Sequence, residues 1–202
     1  MQLKAFVFDL GNVIFNFNIS KFLIPLSQKS HASHISKNAV EYSEIFESFE
    51  TGKISPEEFY KFIVGKTAYS GSYEEFCYIW NNIFDVPNRK TIDIIISLKK
   101  RYPIALLSNT NPLHYEFKKK EHPEIFSLFD KTYLSYKIGL RKPDPEIYQK
   151  MISDLGFNPQ EIFFTDDLHE NVAAARTCAI KSYQFINSSK LKSDLEFEGV
   201  KL

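Results

Sequence analysis

Sulfur is scarce in this 202-residue chain, with two cysteines, Cys77 and Cys178, and two methionines. The cysteines have neither metal-ligand spacing nor the number a disulfide framework needs, so a reducing compartment is expected. A surplus of charge is also missing. Lys plus Arg and Asp plus Glu each number 25, a formal net charge of zero that gives no reason to expect nucleic acid or an anionic membrane as partner. Long apolar runs are lacking as well. Ala5 to Phe8 is stopped by Asp9, too soon for a signal peptide's hydrophobic region, and no stretch approaches the roughly 18 apolar residues of a membrane span. The expectation is a cytoplasmic protein. Internal repeats and low-complexity tracts are absent, and the lysine-rich stretches Lys118–Lys120 and Lys190–Lys192 read as solvated surface.

What is present is a hydrophobic content of 44%, normal for a chain with a sizeable core, in a length that suits one domain or one domain with an inserted module. Short apolar runs read as strands at Lys4 to Asp9, Ile104 to Leu107, Thr132 to Ser135, Glu161 to Thr165 and Ile180 to Ile186. Helical patterns alternate with them, at Arg89 to Lys100, a shorter one from Pro112, Pro145 to Leu155 and Asn171 to Cys178. Asn111-Pro112 and Asp144-Pro145 are helix starts, and Gly156 follows the end of its helix. Strands alternating with helices predict an α/β fold, a Rossmann-like doubly wound parallel sheet.

Residues 17–86 interrupt the alternation. No strand is expected there, and Ser55-Pro-Glu-Glu58 and Ser72-Tyr-Glu-Glu75 read as capping boxes, with Gly52 and Gly71 marking the turns before them. The segment predicts an inserted helical module, dividing the chain into a core of 1–16 and 87–202 and an insert of 17–86. Its aromatics, Phe46, Phe49, Phe59, Phe62, Phe76, Trp80 and Phe84, lie at helical spacing and are expected as the core of a small bundle.

In an open parallel sheet, ligands bind beyond the carboxyl ends of the strands. Asp9 ends the first strand, Ser108 and Asn109 the second, Asp166 and Asp167 the fourth, and Lys142 stands in a loop just before a helix. Three acids, a hydroxyl and a lysine in one crevice suit phosphoryl transfer. Carboxylates crowded in a low dielectric repel one another, a conflict that a divalent cation with hard oxygen ligands such as Mg²⁺ resolves. Lys142 would add charge for the developing equatorial oxygens, and Ser108 with backbone N–H groups near Asn109 would hold the phosphate.

Phe6-Val-Phe-Asp-Leu-Gly-Asn-Val13, Leu107-Ser-Asn-Thr-Asn111, Arg141-Lys-Pro143 and Phe164-Thr-Asp-Asp167 resemble, in order, the four motifs of the haloacid dehalogenase-like (HAD) superfamily. Among its members the motifs look most like those of bacterial α-D-glucose-1-phosphate phosphatases, and more distantly like the phosphatase domain of soluble epoxide hydrolases. The resemblance implies a HAD fold with an inserted helical cap of the C1 type and Mg²⁺-dependent hydrolysis of a small phosphorylated metabolite through an aspartyl-phosphate. It implies Asp9 as nucleophile and metal ligand, the Gly11 carbonyl and Asp167 as further ligands, and Asp166 holding metal-bound water or Lys142. Ser108 and Asn109 would contact the phosphate, which Lys142 would bridge to the nucleophile.

Most phosphatases that the chain resembles carry a second aspartate two residues after the nucleophile, as acid and base. Here that position is Gly11. Acid–base help must come from water, from a group such as His114 or His169, or not at all, at a cost of about 10²–10⁴-fold in rate. Slower turnover is expected, least for leaving groups better than an alkoxide. His114 and His169 are otherwise expected to pack or face solvent, and Asn171 to support the site or simply to be helical. Two rival readings keep the scaffold: a phosphate-binding regulatory protein with little turnover, supported by Gly11, and a haloacid dehalogenase, disfavoured by the Asp166-Asp167 doublet because that chemistry needs no metal. Phe15, Phe17 and Tyr42 are candidates for the specificity wall.

Overall fold

Strand β1 (Ala5–Phe8) is apolar on both sides because both sides are covered. Phe6 and Phe8 belong to one buried cluster and Ala5 and Val7 to another, the pattern of a central parallel strand. The computed structural model describes residues 2–30 and 44–202. Its main sheet runs, edge to edge, Lys131–Leu134 (β5), Ile104–Ser108 (β4), β1, Ile162–Asp166 (β6) and Lys181–Gln184 (β7), all parallel. The chain winds from β1 to β4 to β5, then crosses to β6 and β7. The winding therefore reverses between β1 and β6, where an open sheet offers its crevice. Phe8 pairs with Leu106 on one side and Thr165 on the other, so the three central strands end almost level.

Helices cover both faces, as a doubly wound sheet requires. Arg89–Lys99 (α5) and Ser188–Phe197 (α11) pack Ile92, Ile95, Leu98, Leu191 and Leu195 against Phe6 and Phe8. Pro112–Glu121 (α6) and the single turn Pro123–Phe126 (α7) add Tyr115, Ile125 and Phe126 to the same cluster. Pro145–Leu155 (α9) and His169–Thr177 (α10) place Ile147, Tyr148, Met151 and Ala175 against Val7 and Phe164. The starts are those expected: Asn111 Oδ1 accepts from the His114 N–H at 3.1 Å, Asp144 Oδ1 from the Glu146 N–H at 3.0 Å, and proline follows each cap.

Ser20–Gln28 (α1), Glu44–Glu50 (α2), Pro56–Thr67 (α3) and Tyr73–Asn81 (α4) gather around a third cluster built from Phe22, Leu26, Phe49, Phe59, Ile63, Phe76 and Trp80. Of the aromatics expected as core, Phe49, Phe59, Phe76 and Trp80 are buried there, whereas Phe46, Phe62 and Phe84 pack on the cluster only partly buried. Ser55 and Glu58 form a complete capping box. The Ser72 box is half made: Ser72 Oγ accepts from the Glu75 N–H, but the Glu75 carboxylate pairs with Lys29, just past α1, instead.

Several expectations need correction. Residues 17–86 do take part in strands, because Phe15–Phe17 (β2) and Phe84–Pro87 (β3) form an antiparallel ribbon across both expected boundaries of the insert. Three or four residues are too few for a period of two to show. The helix from Pro112 is ten residues long, one fewer than α5 and α9. Lys118 is buried, with Nζ 5.2 Å from the Phe84 ring centroid and paired with Glu121 at 2.7 Å, so the first lysine of its stretch is not solvated. Phe15 is core, fully buried between Phe84, His122 and Phe126. Tyr42 lies outside the described residues.

Candidate active site

Asp9 is the first residue beyond β1, and its N–H donates to the Thr165 carbonyl at 3.0 Å, which fixes it beside the end of β6. Asp166 is that end. Between them reaches Lys142, 1% exposed, from the loop before α9. Its ammonium donates to Asp9 Oδ1 at 2.7 Å, Asp166 Oδ2 at 2.5 Å and the Leu107 carbonyl at 2.9 Å, so all three protons have acceptors. A lysine buried this deeply is tolerable only with such partners.

The loops are tied to hold this arrangement. The Asn109 carboxamide clasps the Lys142 backbone in both directions, Nδ2 to its carbonyl and Oδ1 from its N–H, each at 2.8 Å. Ser135 Oγ accepts from the Thr110 N–H at 2.9 Å and donates to the Thr110 carbonyl at 3.0 Å, anchoring the turn after β4. Ser108 is buried at the end of β4 and lines the crevice. Asp166 is fully engaged: Oδ1 accepts from the Leu168 N–H and from Asn171 Nδ2, both at 2.9 Å, and Oδ2 from Lys142. Asn171 thus supports the site. Asp167 takes a hydrogen bond from Asn12 Nδ2 at 2.8 Å, and Asn12 reaches it from a left-handed backbone at φ 52°. Asn12 stood inside a quoted motif without being given a role; its tolerance of that conformation was the available signal.

Asp9, Asp166 and Asp167 each offer a carboxylate oxygen within 4.8 Å of one another. Burial drives the Asp9 carboxyl up to about 7; Lys142 opposes the rise, and the charges of Asp166 and Asp167 add to it. Burial likewise lifts Asp167 above its usual value, with the Asn12 hydrogen bond opposing and Asp166 adding. For Lys142 burial works against the charge, but Asp166 and Asp9 outweigh it and raise the pKa. Three carboxylates against one ammonium leave a formal excess of two negative charges. An all-oxygen donor set with that deficit fits a divalent cation such as Mg²⁺.

Above the acids opens a cavity of about 480 Å³ whose walls include Phe17, Phe46, Glu50, Trp80, Phe84, Asn109, Arg141 and Glu170. Its roof comes from the helical layer, which, among the described residues, docks on the loops and helices beyond the sheet at Arg141, Tyr136 and His114. Arg141 pairs with Glu50 at 3.0 Å and Glu47 at 3.5 Å, both on α2. Gly52, just past α2, sits so close to the turn Ser135–Ile138 (α8) that a Cβ there would stand 2.2 Å from the Tyr136 carbonyl oxygen. Trp80 of α4 stacks on His114 at 4.8 Å between centroids, and its carbonyl accepts from His114 Nε2 at 3.0 Å. Burial pushes His114 down to about 3. It is a neutral packing group, and its Nδ1 accepts a hydrogen bond from Asn111 Nδ2 at 3.1 Å. His169 is exposed at the start of α10 and is not among the cavity's walls. Neither the Arg141 pairs nor the Trp80–His114 stack carried any signal in the sequence.

Among the described residues no helix is long and apolar enough to cross a membrane, and both cysteines are free thiols. The chain is 31% identical to the D-ribitol-5-phosphate phosphatase of Bacteroides thetaiotaomicron, over 96% of this chain and 97% of that one. It is 26% identical to a sesquiterpene phosphatase of Aspergillus oryzae, over 92% and 91%. A HAD family enzyme of Bacteroides thetaiotaomicron, solved with magnesium and inorganic phosphate, superposes with a TM-score of 0.78 at 29% identity, covering 90% of this chain and 93% of that one. A HAD-like family hydrolase of Porphyromonas gingivalis covers 100% of both chains with a TM-score of 0.84 at 26% identity. The family of haloacid dehalogenase-like hydrolases matches residues 3–178. With that match, and a relative 31% identical over nearly the whole of both chains, the chain belongs to the haloacid dehalogenase-like hydrolase family.

Proposed function

We propose that this protein is a Mg²⁺-dependent phosphatase of small phosphorylated metabolites, a sugar or sugar-alcohol phosphate foremost, with Asp9 as nucleophile. The observation that carries the reading is the buried cluster in which Lys142 holds Asp9 and Asp166 while Asp167 completes a three-carboxylate set. The Bacteroides relative named for D-ribitol 5-phosphate supports a sugar-alcohol phosphate, and the motif likeness supports glucose 1-phosphate.

Asp9 and Asp167, with the Gly11 carbonyl, would hold the cation. Asp166, whose oxygens are already taken, serves mainly by holding Lys142. Bound there, the cation offsets the repulsion between the Asp9 carboxylate and an incoming phosphate dianion. Lys142 fixes Asp9 Oδ1 and presents positive charge to the phosphoryl oxygens, which Ser108 and the backbone around Asn109 would also contact. An Asp9 oxygen forms a bond to phosphorus as the bond to the leaving oxygen breaks, and that oxygen takes its proton from water. Water then attacks phosphorus, releasing inorganic phosphate and restoring Asp9. Residues 17–86 act as a cap over a catalytic core of 1–16 and 87–202, excluding bulk water from the crevice. The free thiols suit a cytoplasmic setting.

A panel of phosphorylated sugars, sugar alcohols and other small metabolites, assayed for phosphate release with Mg²⁺ and with EDTA, tests the reading. Multiple turnover that needs Mg²⁺ is expected on at least one ester. No release from any of them would refute it.

A further inference from the structure

Gly11 and Phe17 are complementary in shape. A Cβ built at Gly11 would meet Phe17 Cε1 at 3.1 Å and Cδ1 at 3.5 Å, and Asp9 Oδ2 at 3.8 Å. The phenyl ring therefore crowds the space a side chain at position 11 would need, and that space also borders the nucleophile's second oxygen. Lys142 holds the other oxygen, Oδ1. The backbone keeps the ring in place. Phe17 pairs with Phe84 in the β2–β3 ribbon, its N–H donates to Asn12 Oδ1 at 3.3 Å, and its ring stands edge-on to Phe84 at 6.4 Å. Yet the residue is 37% exposed and lines the cavity, an uneconomical place for a phenylalanine that served only as core.

We infer that Phe17 is the specificity-determining residue next to the nucleophile, and that Gly11 serves to admit its ring. Resting on the phosphatase reading above, the inference assigns the substrate class: esters whose first carbons lay a C–H face on an aromatic ring, as sugar and polyol phosphates do. On this inference the ring meets the carbon skeleton, while the phosphoryl group is held from Lys142, Ser108 and the backbone around Asn109. Loss of the ring acts on binding of the carbon skeleton and leaves binding of free phosphate alone.

A double-mutant cycle tests this, with KM and kcat for a hexose or pentitol phosphate found active and the inhibition constant of inorganic phosphate measured for each variant. Phe17→Ala should raise KM about 10-fold, the scale of one lost aromatic contact, with the phosphate inhibition constant moving less than about 2-fold. Gly11→Ala should push the ring aside and raise KM several-fold by itself. In the Phe17→Ala background the same change should raise KM by a smaller factor than in the wild type, because that part of its effect runs through the ring, while any loss in kcat, which reads the cation-side role of Gly11, is scored separately. Additive effects on KM, an unchanged KM in Phe17→Ala, or a phosphate constant that rises in step with KM would each overturn the inference. A wild-type protein that turns over no ester would sink the phosphatase reading along with it, whereas turnover with an additive cycle sinks the inference alone.

Discussion

The carboxyl edge of the sheet and the helical layer above it are both buried, by opposite means. At the sheet edge, burial falls on charge: Lys142, Asp9 and Asp166 lie almost out of solvent's reach and satisfy one another. In the layer of α1 to α4, burial falls on rings, with Phe22, Phe49, Phe59, Phe76 and Trp80 stacked and edge-on within one cluster. A charged cluster tolerates almost no substitution, because removing one partner strands another in a low dielectric. An aromatic cluster tolerates many, provided volume is kept. Chemistry is therefore tied to the first region, and the second is free to vary the roof of the cavity.

Breaking the charged side should have the largest effect. Lys142→Met leaves Asp9 and Asp166 facing each other unpaired, and should cost about 3–5 kcal/mol of stability by chemical denaturation. It should also lower kcat by about 10²–10³-fold in whatever protein remains folded.

The docking between the two regions is the next target. Gly52 has φ of 70° and backbone 2.2 Å from its missing Cβ, so Gly52→Ala should lose about 2 kcal/mol. The loss should appear as a lower Tm together with a raised KM, since the roof must lift from Tyr136.

His114 sharpens the comparison through pH. It is held neutral with its pKa pushed from 6.5 down to about 3. The unfolded chain therefore binds a proton that the folded one refuses, and stability is lost as pH falls from about 6.5 towards 3. His114→Gln should flatten the slope of unfolding free energy against pH in that window by up to about 1.4 kcal/mol per pH unit. An unchanged slope would show that the imidazole is not shielded. The smallest effect belongs to Arg141→Ala. Arg141 is about a third exposed, Glu47 about half and Glu50 about a tenth, so the change should raise KM only about 2–3-fold, with a modest drop in Tm from the Glu50 pair.

The same contrast explains what the sequence disclosed. That Asp9, Lys142, Asp166 and Asp167 meet in one crevice was legible, because a parallel sheet puts its strand ends together and residues of those types just beyond them suit phosphoryl transfer. Asn12 and Asp167 meet across 155 positions, and Trp80 reaches Asn111 and His114 from another helix, contacts that no local period encodes. Phe15 and Phe17 show a subtler failure. Two residues apart on a strand, they should share a face, but the register shifts between them, so one enters the core and the other the cavity. The helical layer announced its capping boxes and aromatic spacing. It kept back the ribbon that joins it to the sheet, whose strands are too short to alternate.

The most direct test of the shared site is phosphate release from the best ester of the panel by wild type and by Asp9→Asn, each with Mg²⁺ and with EDTA. Asp9→Asn keeps the shape of the side chain while removing the charge that Lys142 faces and the attacking oxygen. The expected result is release by the wild type with Mg²⁺ alone, reduced by about 10⁴-fold or more in Asp9→Asn. Substantial release by Asp9→Asn, or release by the wild type undiminished in EDTA, would contradict a phosphoryl-transfer site built on Asp9 and a bound cation.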